Sequence, residues 1–592
     1  MTRSALSPVS LLRLLAASAL LVADVRAEWQ SSPSAGLEVC GAVSHQYVIR
    51  GGAVSEGSGG VIVAWSDSRS GDLSPDIYAQ RVLANGSLDP GWPTGGAAIC
   101  TASSSQTTPV LVADGSGGAI VVWRDFRTSV TNGLDIYAHH IRADGTLDPN
   151  WPANGLPVCT QPGEQTWNLA CSDGAGGAIV VWQDSRTGGT PAIYAHHVLS
   201  SGIADPIWPA DGRALASPVT QRFNPSMLSD GNGGAFVFWS DKRDGAGDIF
   251  GMHVQADGSL DPAWPVNGLA ICTADDYQNM SQTVSDGQGG ALVSWSDLRA
   301  VSPSSPSGSG AYVQHVLATG IIDPVWPVNG RALASSPKFA ADPVLAADGQ
   351  GGAWVAWEDW RASPRCDVYA QHVLANGDVD PAWHPEGVAV SVAAADQGQP
   401  TIMADGGTGV FIAWHDERNG SKDIYAARLL WSGAPDPRWD VNGNQVSTAA
   451  ASQEYPMLVP DGHGAAIAVW PDGRMGTFDV YAQRIQPDGV LGGALVSVGP
   501  AASSGLWLSL AQANPVRSAT IELRAGAPSG EPARVELVDV SGRLLARQEV
   551  VGANGAGARI VLSPGRKLAS GVYLIRLVQG HAACVRRVVL LD

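Results

Sequence analysis

Short apolar runs separated by glycine-rich polar turns recur along most of this chain. In the second repeat, Pro109–Ala113 and Ala119–Trp123 are apolar, and Asp114–Gly118 between them supplies the glycines that a tight hairpin needs. Asp135–Ile141 alternates in character, and a turn leads to Leu156–Cys159. Each run is bounded by Gly, Pro, Asn or Asp, so the pattern predicts four β-strands per repeat.

A Trp-x-Asp-x-Arg motif marks the repeats. It occurs eight times, and its tryptophans are 56 to 62 residues apart. The motifs begin at Trp65, Trp123, Trp182, Trp239, Trp295, Trp357, Trp414 and Trp470. Four-stranded units at this period predict an all-β fold in which residues 36–500 form an eight-bladed β-propeller. A β-helix has a shorter repeat, and tandem immunoglobulin-like domains need about 100 residues each.

The fourth-strand pattern occurs once more than the tryptophan motif. Gly36–Cys40 precedes the first motif, and Gly493–Ser497 follows the last. We expect this surplus strand to close the ring by pairing the N-terminal chain with the last blade, which removes an exposed sheet edge.

Composition and the N-terminus indicate an exported protein. A net charge of -19 with 15% charged residues argues against a nucleic-acid or anionic-membrane partner. Arg3, the apolar run Leu11–Val22 and the small residue Ala27 predict a signal peptide over residues 1–27, and no later apolar run is long enough to span a membrane. The expected location is secreted or on the outer cell surface.

Most recurring residues have a structural interpretation. Trp, Asp and Arg of the motif share one strand face, which predicts a tryptophan between blades and an Asp-Arg pair that holds the following loop. The Asp-Gly-x-Gly-Gly segments predict hairpins, because a calcium site needs more oxygen ligands. A second tryptophan set predicts packing at the rim, with sugar stacking as the alternative. Its members are Trp92, Trp151, Trp208, Trp264, Trp326, Trp383 and Trp439.

Two further sets of residues, each recurring at one position of the repeat, are of the types that form metal sites or disulfides. One reads Arg81, His140, His197, His253, His315, His372, Arg428 and Arg484. Exchange with Arg, which does not ligate zinc, predicts a solvated polar position. Cys40, Cys100, Cys159 and Cys272 share one register and are expected to be small buried residues, while Cys159 and Cys171 are the one pair close enough in sequence for a disulfide. The sequence predicts no metal and no cofactor.

Function on a repeat scaffold is expected where the period breaks. The loop after the motif arginine varies in length and carries an insert at residues 301–310, which favours this face as the binding surface. The scattered departures are Trp167, Glu358, Trp360, Cys366, His415 and Glu417. Since none carries a catalytic motif, the sequence predicts no catalytic residue.

The repeats resemble secreted bacterial propellers with a loosely sialidase-like architecture, although they lack the sialidase Ser-x-Asp-x-Gly-x-Thr-Trp box. Residues 505–592 resemble the C-terminal sorting domain of type IX secretion cargo, which is related to the immunoglobulin-like domain of flagellar hook-capping proteins. The motifs are Asn514-Pro515, Val535–Arg543, Leu568–Leu577 and Arg586–Leu591. This resemblance implies a small immunoglobulin-like β-sandwich that engages the outer-membrane secretion machinery.

Two functions remain open. The first is a non-catalytic surface protein that binds a glycan or another protein. The alternative is an exported glycoside hydrolase, which needs two carboxyl groups roughly 5 to 10 Å apart in one pocket. Glu358, Glu386 and Glu417 are the acidic candidates for that alternative.

Overall fold

A computed structural model describes residues 29–493, except 72–73, 189, 217–219, 246, 301–308, 335–339 and 363, together with seven strands beyond residue 506. The predicted signal peptide, residues 494–497 and most of the 301–310 insert lie outside the described residues. The chain divides into two compact units, Met1–Ala494 and Leu495–Asp592.

The first unit contains eight antiparallel sheets in its described part. We number them by the tryptophan motif each contains. The first strands, in sheet order, are Gln46–Tyr47 with Ala53–Ser55, Gln106–Ala113, Gln165–Ser172, Arg222–Ser229, Gln278–Ser285, Ala340–Ala347, Gln397–Ala404 and Met457–Pro460. The second strands are Val61–Asp67, Ala119–Asp125, Ala178–Asp184, Ala235–Asp241, Ala291–Asp297, Ala353–Asp359, Gly409–Asp416 and Ala466–Asp472. The third strands are Asp76–Val82, Asp135–Ile141, Ala192–Val198, Asp248–Val254, Gly310–Val316, Asp367–Val373, Asp423–Leu430 and Asp479–Ile485. The fourth strands of sheets 1 to 7 are Ala97–Cys100, Leu156–Cys159, Arg213–Ala214, Leu269–Cys272, Arg331–Ala332, Val388–Ser391 and Asn444–Ser447. A single turn of 3-10 helix, Leu298–Ala300, follows the second strand of sheet 5.

The sheets form a closed ring, as expected of a β-propeller. First strands of successive sheets contact one another, and Met457–Pro460 of sheet 8 contacts Ala53–Ser55 of sheet 1. Sheet 8 takes its fourth strand from the N-terminus, because Leu37–Cys40 pairs antiparallel with Asp479–Ile485. The predicted closure by the N-terminal strand is therefore confirmed.

The tryptophan motif is a structural unit, as predicted. All eight motif tryptophans are fully buried. In sheet 2, Trp123 Nε1 donates to Asp125 Oδ2 at 2.9 Å, and Arg127 donates its backbone N–H to Asp125 Oδ1 at 2.9 Å. The Arg127 guanidinium also lies over the Tyr137 ring, 3.9 Å from its centroid. The other seven sheets repeat the Trp-to-Asp hydrogen bond and the stacked arginine.

The motif arginine also links neighbouring sheets. Arg186 of sheet 3 donates from Nη2 to Cys159 Sγ, on the fourth strand of sheet 2, at 3.1 Å. In sheet 8 a serine takes the place of the cysteine, and Arg474 donates to Ser447 Oγ at 3.3 Å. The predicted buried position is confirmed, and its cysteine serves as a hydrogen-bond acceptor. Cys159 and Cys171 are both free thiols.

The second tryptophan set is buried, so the rim-packing interpretation is confirmed and the sugar-stacking alternative is wrong. Its seven members are at most 8% exposed. Trp92 of sheet 1 donates from Nε1 to the carbonyl oxygen of Ala143 in the next repeat at 3.0 Å. A Cβ on Gly145, whose φ is +78°, would lie 2.7 Å from the Trp92 ring, so the close approach requires glycine.

The His/Arg column was wrongly predicted to be solvated. His372 is fully buried, and its two ring nitrogens lie 2.8 Å from Asp380 and 3.0 Å from Asp348. In sheet 7, Arg428 holds the same position between Asp405 and Asp436. Arg exchanges with His here because both side chains carry two nitrogens that reach the two aspartates at once.

The described residues of the second unit form two antiparallel sheets. Trp507–Leu510, Ile521–Gly526 and Ala558–Leu562 form one, and Ala533–Asp539, Leu544–Val550, Gly571–Gln579 and Ala582–Leu590 form the other. Ile521, Leu523, Val535, Leu537 and Ile575 are among its buried residues. In the part of the chain that the structure describes, no helix is long and apolar enough to cross a membrane.

Candidate functional site at the mouth of the ring

The first strands of sheets 2 to 7 begin with a kink. In sheet 2 the pairing register shifts between Thr107 and Val110, and Thr108 between them has φ of +53°. Non-glycine residues seldom adopt this left-handed conformation, and such backbone is concentrated at functional sites. The equivalent residues of other sheets, all with positive φ, are Trp167, Asn224, Asp342, Gln399 and Tyr455.

The kinks lie on the same face of the ring as the variable loops. Gln106, at the start of a first strand, pairs with Asp125, at the end of the second strand, and the loop after Arg127 leaves from that end. The Gln106 side chain anchors the turn before the kink by donating to the carbonyl oxygen of Ser104 at 3.1 Å. The same glutamine packing therefore holds kinked residues of differing type at one end of the ring, which we call its mouth.

The kinked residues contact a second set of residues that differ between sheets, namely those directly after the motif tryptophan. Ser296 of sheet 5 accepts a hydrogen bond from the Asp342 backbone N–H of sheet 6 at 3.0 Å. Glu358 of sheet 6 accepts from the Gln399 backbone N–H of sheet 7 at 2.7 Å. These two boundaries between sheets thus each bring two varied residues together.

Sheet 1 departs most from the repeat. Its first strand is interrupted between Tyr47 and Ala53, and a tight turn there joins the Ile49 carbonyl oxygen to the Gly52 N–H at 2.8 Å. A Cβ on Gly52 would lie 2.8 Å from the Val48 side chain and 2.9 Å from the Ile49 oxygen, so the turn needs glycine. This turn presents Arg50.

Arg50 lies near the carboxyl groups of Asp342 and Glu358, which belong to sheet 6. Its Nη2 donates to the carbonyl oxygen of Pro400 in sheet 7 at 3.3 Å. Solvent reaches its side chain, but the surrounding protein lowers its pKa by desolvation, which Asp342 and Glu358 partly offset. Burial in turn raises the pKa of Asp342 and of Glu358. A raised pKa keeps a carboxyl group protonated to a higher pH, which suits a proton donor.

Glu358 and His415 flank the same glycine. A Cβ on Gly398 would lie 3.1 Å from Glu358 Oε1 and 3.1 Å from His415 Nε2. His415 is 8% exposed, and among the described residues its Nδ1 has no hydrogen-bond partner. Burial, with a smaller contribution from Lys422, lowers the pKa of His415 to about 4, so the ring is neutral at pH 7.

Aromatic side chains stand beside this cluster. Tyr455, which is 39% exposed, lies edge-on to His415 with ring centroids 6.5 Å apart. It makes a similar contact with Tyr47 at 6.5 Å. Burial, followed by the charge of Glu454, raises the pKa of Tyr47 well above its usual value. Tyr47, Arg50, Gln399 and Tyr455 line one cavity of about 190 Å³.

Across the ring, a second cavity of about 520 Å³ contains Arg50, Arg124 and Trp167 in its lining. Trp167 is 55% exposed, two residues after the buried first-strand residue Gln165. Arg124 Nε donates to Thr108 Oγ1 at 2.7 Å, and Asn168 Nδ2 donates to the Thr108 carbonyl oxygen at 3.1 Å. Arg50 lines this cavity, the smaller one and a third of about 190 Å³ between them.

The structure thus brings together three of the scattered sequence departures, Trp167, Glu358 and His415, at one mouth. Glu417 lies on the same face, where its N–H donates to the Asp396 carbonyl oxygen, but it lines none of the cavities described here. Glu386 is partly buried just before the fourth strand of sheet 6, and its carbonyl oxygen accepts from Arg361 at 2.9 Å.

Cys366 and Trp360 do not belong to this cluster. Cys366 is 3% exposed and its N–H donates to Asp396 at 3.0 Å, so it packs between sheets 6 and 7. Trp360 immediately precedes the motif arginine of sheet 6, in the turn after the second strand, and is partly buried.

Sequence reasoning missed Arg50, Arg124, Asp342, Gln399 and Tyr455. A signal was present, because the column two residues after the first-strand glutamine reads Thr108, Trp167, Gln399 and Tyr455 in four repeats whose flanking positions are alike. Among the described residues, no group of three or more His, Cys, Asp or Glu side chains is arranged to hold a metal ion.

Comparisons with known proteins give distant likenesses. No protein-family model matches the chain, and no curated protein matches its sequence. An ulvan lyase from a new polysaccharide lyase family is 8% identical, with a TM-score of 0.42, over 69% of this chain and 97% of its own. The β-propeller domain of the trilobed protease from Pyrococcus furiosus, described as having an open velcro topology, is 8% identical, with a TM-score of 0.36, over 64% and 94%. An endo-arabinase from Bacteroides thetaiotaomicron is 14% identical, with a TM-score of 0.26, over 44% and 92%. Since these scores are low, the fold rests on the sheet order and the closed ring of contacts.

Proposed function

We propose that this protein is an exported polysaccharide-acting glycoside hydrolase whose substrate lies across the variable-loop mouth of an eight-bladed ring. The observation that carries the proposal is the pair of carboxyl groups, Asp342 and Glu358, beside Arg50, which itself lines three connected cavities. Exposed aromatic rings stand on both sides, Tyr455 on one and Trp167 on the other. Aromatic faces and paired carboxyl groups are what glycosidic-bond hydrolysis requires.

The two carboxyl groups suit an acid and base pair. Oε1 of Glu358 is engaged by the Gln399 N–H, but Oε2 makes no hydrogen bond with a described residue. The Asp342 carboxylate likewise accepts none there, and its backbone is fixed by Ser296. Burial raises both pKa values, so one carboxyl group can hold the proton that the leaving sugar oxygen needs while the other acts on water or on the anomeric carbon.

The test is hydrolysis of a polysaccharide panel by the wild type and by Glu358→Gln and Asp342→Asn. We expect each substitution to reduce the turnover number at least about 100-fold, the scale of one acid or base catalyst, with little change in melting temperature. Glu417→Gln is the matched control, because Glu417 lies on the same face outside the cavities. Equal loss in the control, or hydrolysis unaffected by either carboxyl substitution, would contradict the assignment.

The second candidate is a glycan- or protein-binding surface without turnover. It is favoured by the hydrogen bond from the Gln399 N–H to Glu358, which repeats what Ser296 does for Asp342 and thus gives Glu358 a structural role. Saturable binding of a polysaccharide that is never cleaved, unchanged in Glu358→Gln, would favour this candidate.

The proposed route to the cell exterior uses both ends of the chain. Residues 1–27 serve as a signal peptide, and residues 505–592 form an immunoglobulin-like sorting domain that engages the outer-membrane secretion machinery. Two antiparallel sheets within the second unit support the sandwich. Deleting residues 505–592 should leave the propeller melting temperature unchanged while the protein accumulates in the periplasm of its host. Continued display on the surface would contradict the sorting role.

A further inference from the structure

The cavity of about 520 Å³ at the mouth is lined by two arginines in a strongly acidic protein. Its lining contains Arg50 and Arg124 but no Asp or Glu, whereas the whole chain carries a net charge of -19. A lining whose charged side chains are both cationic is a property of the site, because the acidic composition of the chain as a whole would favour acidic side chains there.

Neither arginine is neutralised by an ion pair. Each motif arginine pairs with its aspartate at 2.5 to 2.7 Å, as Arg127 does with Asp125. Among the described residues, Arg50 and Arg124 have no carboxylate within 4.0 Å, although Asp342 and Glu358 act on Arg50, and Glu164 on Arg124, from farther away. Arg50 donates to a carbonyl oxygen and Arg124 to a hydroxyl oxygen. An unpaired guanidinium with donors to spare in a partly dehydrated cavity is suited to bind an oxyanion.

The surroundings of Arg124 fix its position. Thr108, one of the kinked residues, accepts from Arg124 Nε through its hydroxyl group. Asn168 holds Thr108 by donating to its carbonyl oxygen, and it also donates to the carbonyl oxygen of Val122 at 3.2 Å. Asn168 is 5% exposed, so this support is buried while the guanidinium remains in the lining. Pre-ordering of this kind reduces the entropy lost when a ligand binds.

The exposed indole ring of Trp167, in the same cavity as Arg124, indicates that the anionic group belongs to a sugar. Trp167 precedes Asn168 in the kink of sheet 3 and is 55% exposed in the same cavity. An indole face packs on the apolar face of a sugar ring. The cavity volume of about 520 Å³ exceeds what a single inorganic ion needs and falls in the range of small-molecule sites.

We infer that the substrate is an acidic polysaccharide, in which one sugar stacks on Trp167 and places a carboxylate or sulfate group on Arg124, with Arg50 next along the chain. This inference rests on the proposed function and specifies its substrate class. Carboxylate and sulfate share the oxyanion chemistry that a guanidinium recognises, and the experiment separates them.

The test measures binding of three probes to the full chain by isothermal titration calorimetry. Polygalacturonate carries carboxylates, carrageenan carries sulfates and arabinogalactan serves as the nearly neutral probe. We expect at least one acidic probe to bind at least 10-fold more tightly than arabinogalactan, with an affinity that falls as salt rises. The acidic probe that binds identifies the anion, and binding of both assigns the site to either oxyanion.

Variants then locate the binding. Arg124→Gln and Trp167→Ala should each weaken the acidic probe at least 10-fold, while Arg124→Lys should retain part of the affinity because it keeps the charge. Arg438→Gln is the control, since Arg438 is half-exposed and pairs with Asp436, which lies in the connection that follows the third strand. Unchanged melting temperatures separate lost binding from misfolding.

The outcomes distinguish this inference from the proposed function. Equal or tighter binding of arabinogalactan, cleaved in a Glu358-dependent way, would overturn the acidic substrate and leave the hydrolase standing. Acidic binding that Arg124→Gln and Trp167→Ala do not affect would overturn the site. Binding of none of the three probes would contradict both.

Discussion

At the residue scale, the same third-strand aspartate has different surroundings in different sheets. Asp76 accepts a hydrogen bond from Ser70 at 2.6 Å, and Asp423 accepts from Asn419 at 2.7 Å. Asp248 makes no such bond among the described residues. Its burial, together with the charges of Asp244 and Asp241, raises its pKa to about 6 despite Arg243. The folded protein therefore binds this proton more tightly than the unfolded chain does, and the charged form costs stability.

We predict that Asp248→Asn stabilises the protein at high pH. Because the folded pKa is raised, the penalty is absent below the unfolded pKa near 4 and develops fully as pH rises above about 6. A shift of about two units corresponds to an upper limit of about 3 kcal/mol at pH 8. Sheets 3 and 5 already carry Ala192 and Gly310 at this position, so loss of the carboxylate is compatible with the fold.

Urea unfolding at pH 8 and pH 4 measures the effect. The variant should exceed the wild type in free energy of unfolding at pH 8 and approach it at pH 4, where the wild-type carboxyl group is largely protonated. An advantage of the same size at both pH values would show that a cause other than ionisation is responsible.

At the element scale, a buried histidine or arginine side chain of the third strand joins two turns of the sheet. In sheet 4, His253 lies 2.9 Å from Asp230 of the hairpin and 2.8 Å from Asp261 of the third-to-fourth strand connection. Burial opposes its charge, but the hydrogen bonds to the two aspartates outweigh burial and raise the pKa of His253. The imidazolium thereby fastens both connections to the same strand.

We predict that His253→Ala destabilises the protein by about 3 to 5 kcal/mol at pH 6, because it leaves two buried carboxylates unpaired. With a raised folded pKa, the contribution of His253 is full below its unfolded pKa of about 6.5 and declines as pH rises through the folded value. The difference between wild type and variant should therefore shrink at pH 9.

Asp230→Asn and Asp261→Asn serve as partners in a double-mutant cycle with His253→Ala. Losses that are less than additive are expected, since the three groups act together. Simple additivity, or a loss below about 1 kcal/mol at pH 6, would mean that the ion triad does not join the two turns.

At the scale of the whole molecule, the ring is closed by its N-terminal strand. Leu37–Cys40 completes sheet 8, and Trp29 ahead of it is 2% exposed and donates to the Ala84 carbonyl oxygen at 2.9 Å. Gln483 of sheet 8 donates to the Gln30 carbonyl oxygen at 2.7 Å. The N-terminal segment thus bridges the first and last sheets.

We predict that deleting residues 29–41 lowers the melting temperature by more than about 10 °C and opens sheets 1 and 8 to protease first, because sheet 8 loses its fourth strand and sheet 1 loses the packing of Trp29. A synthetic peptide of residues 29–45, added in excess, should restore part of the stability. A truncated protein as stable as the full chain would show that the ring does not need this closure.

The repeat made much of the fold predictable from the sequence. Trp123, Asp125 and Arg127 were placed on one face by strand periodicity alone, and Gly36–Cys40 was recognised as the closing strand because one copy of its pattern was in excess. Local rules suffice for these features, because strand alternation and turn residues are set within one repeat. Eight copies of the repeat show the same pattern.

Burial was decided by packing between repeats. His253 and Arg428 in one column favoured a solvated position, but a cation fits the interior there because two aspartates, one 23 residues before it and the other 8 after, neutralise it. Trp92 is buried for the same reason, since its ring is covered by Gly145 of the next repeat. The sequence pattern of one repeat does not show which of its side chains the next repeat covers.

The candidate site was fixed by the closed ring alone. Sequence singled out Trp167, Glu358 and His415 as unrelated departures, and Arg50 and Asp342 went unnoticed because no motif joins them. Arg50 lies some 300 residues from Asp342 and Glu358 along the chain, and only closure of sheet 1 onto sheets 7 and 8 brings them within electrostatic reach. The sequence by itself determined the strands, the repeat and the closing segment through local periodicity. The tertiary structure decided which irregular residues share the mouth, because that depends on the curvature of all eight sheets together.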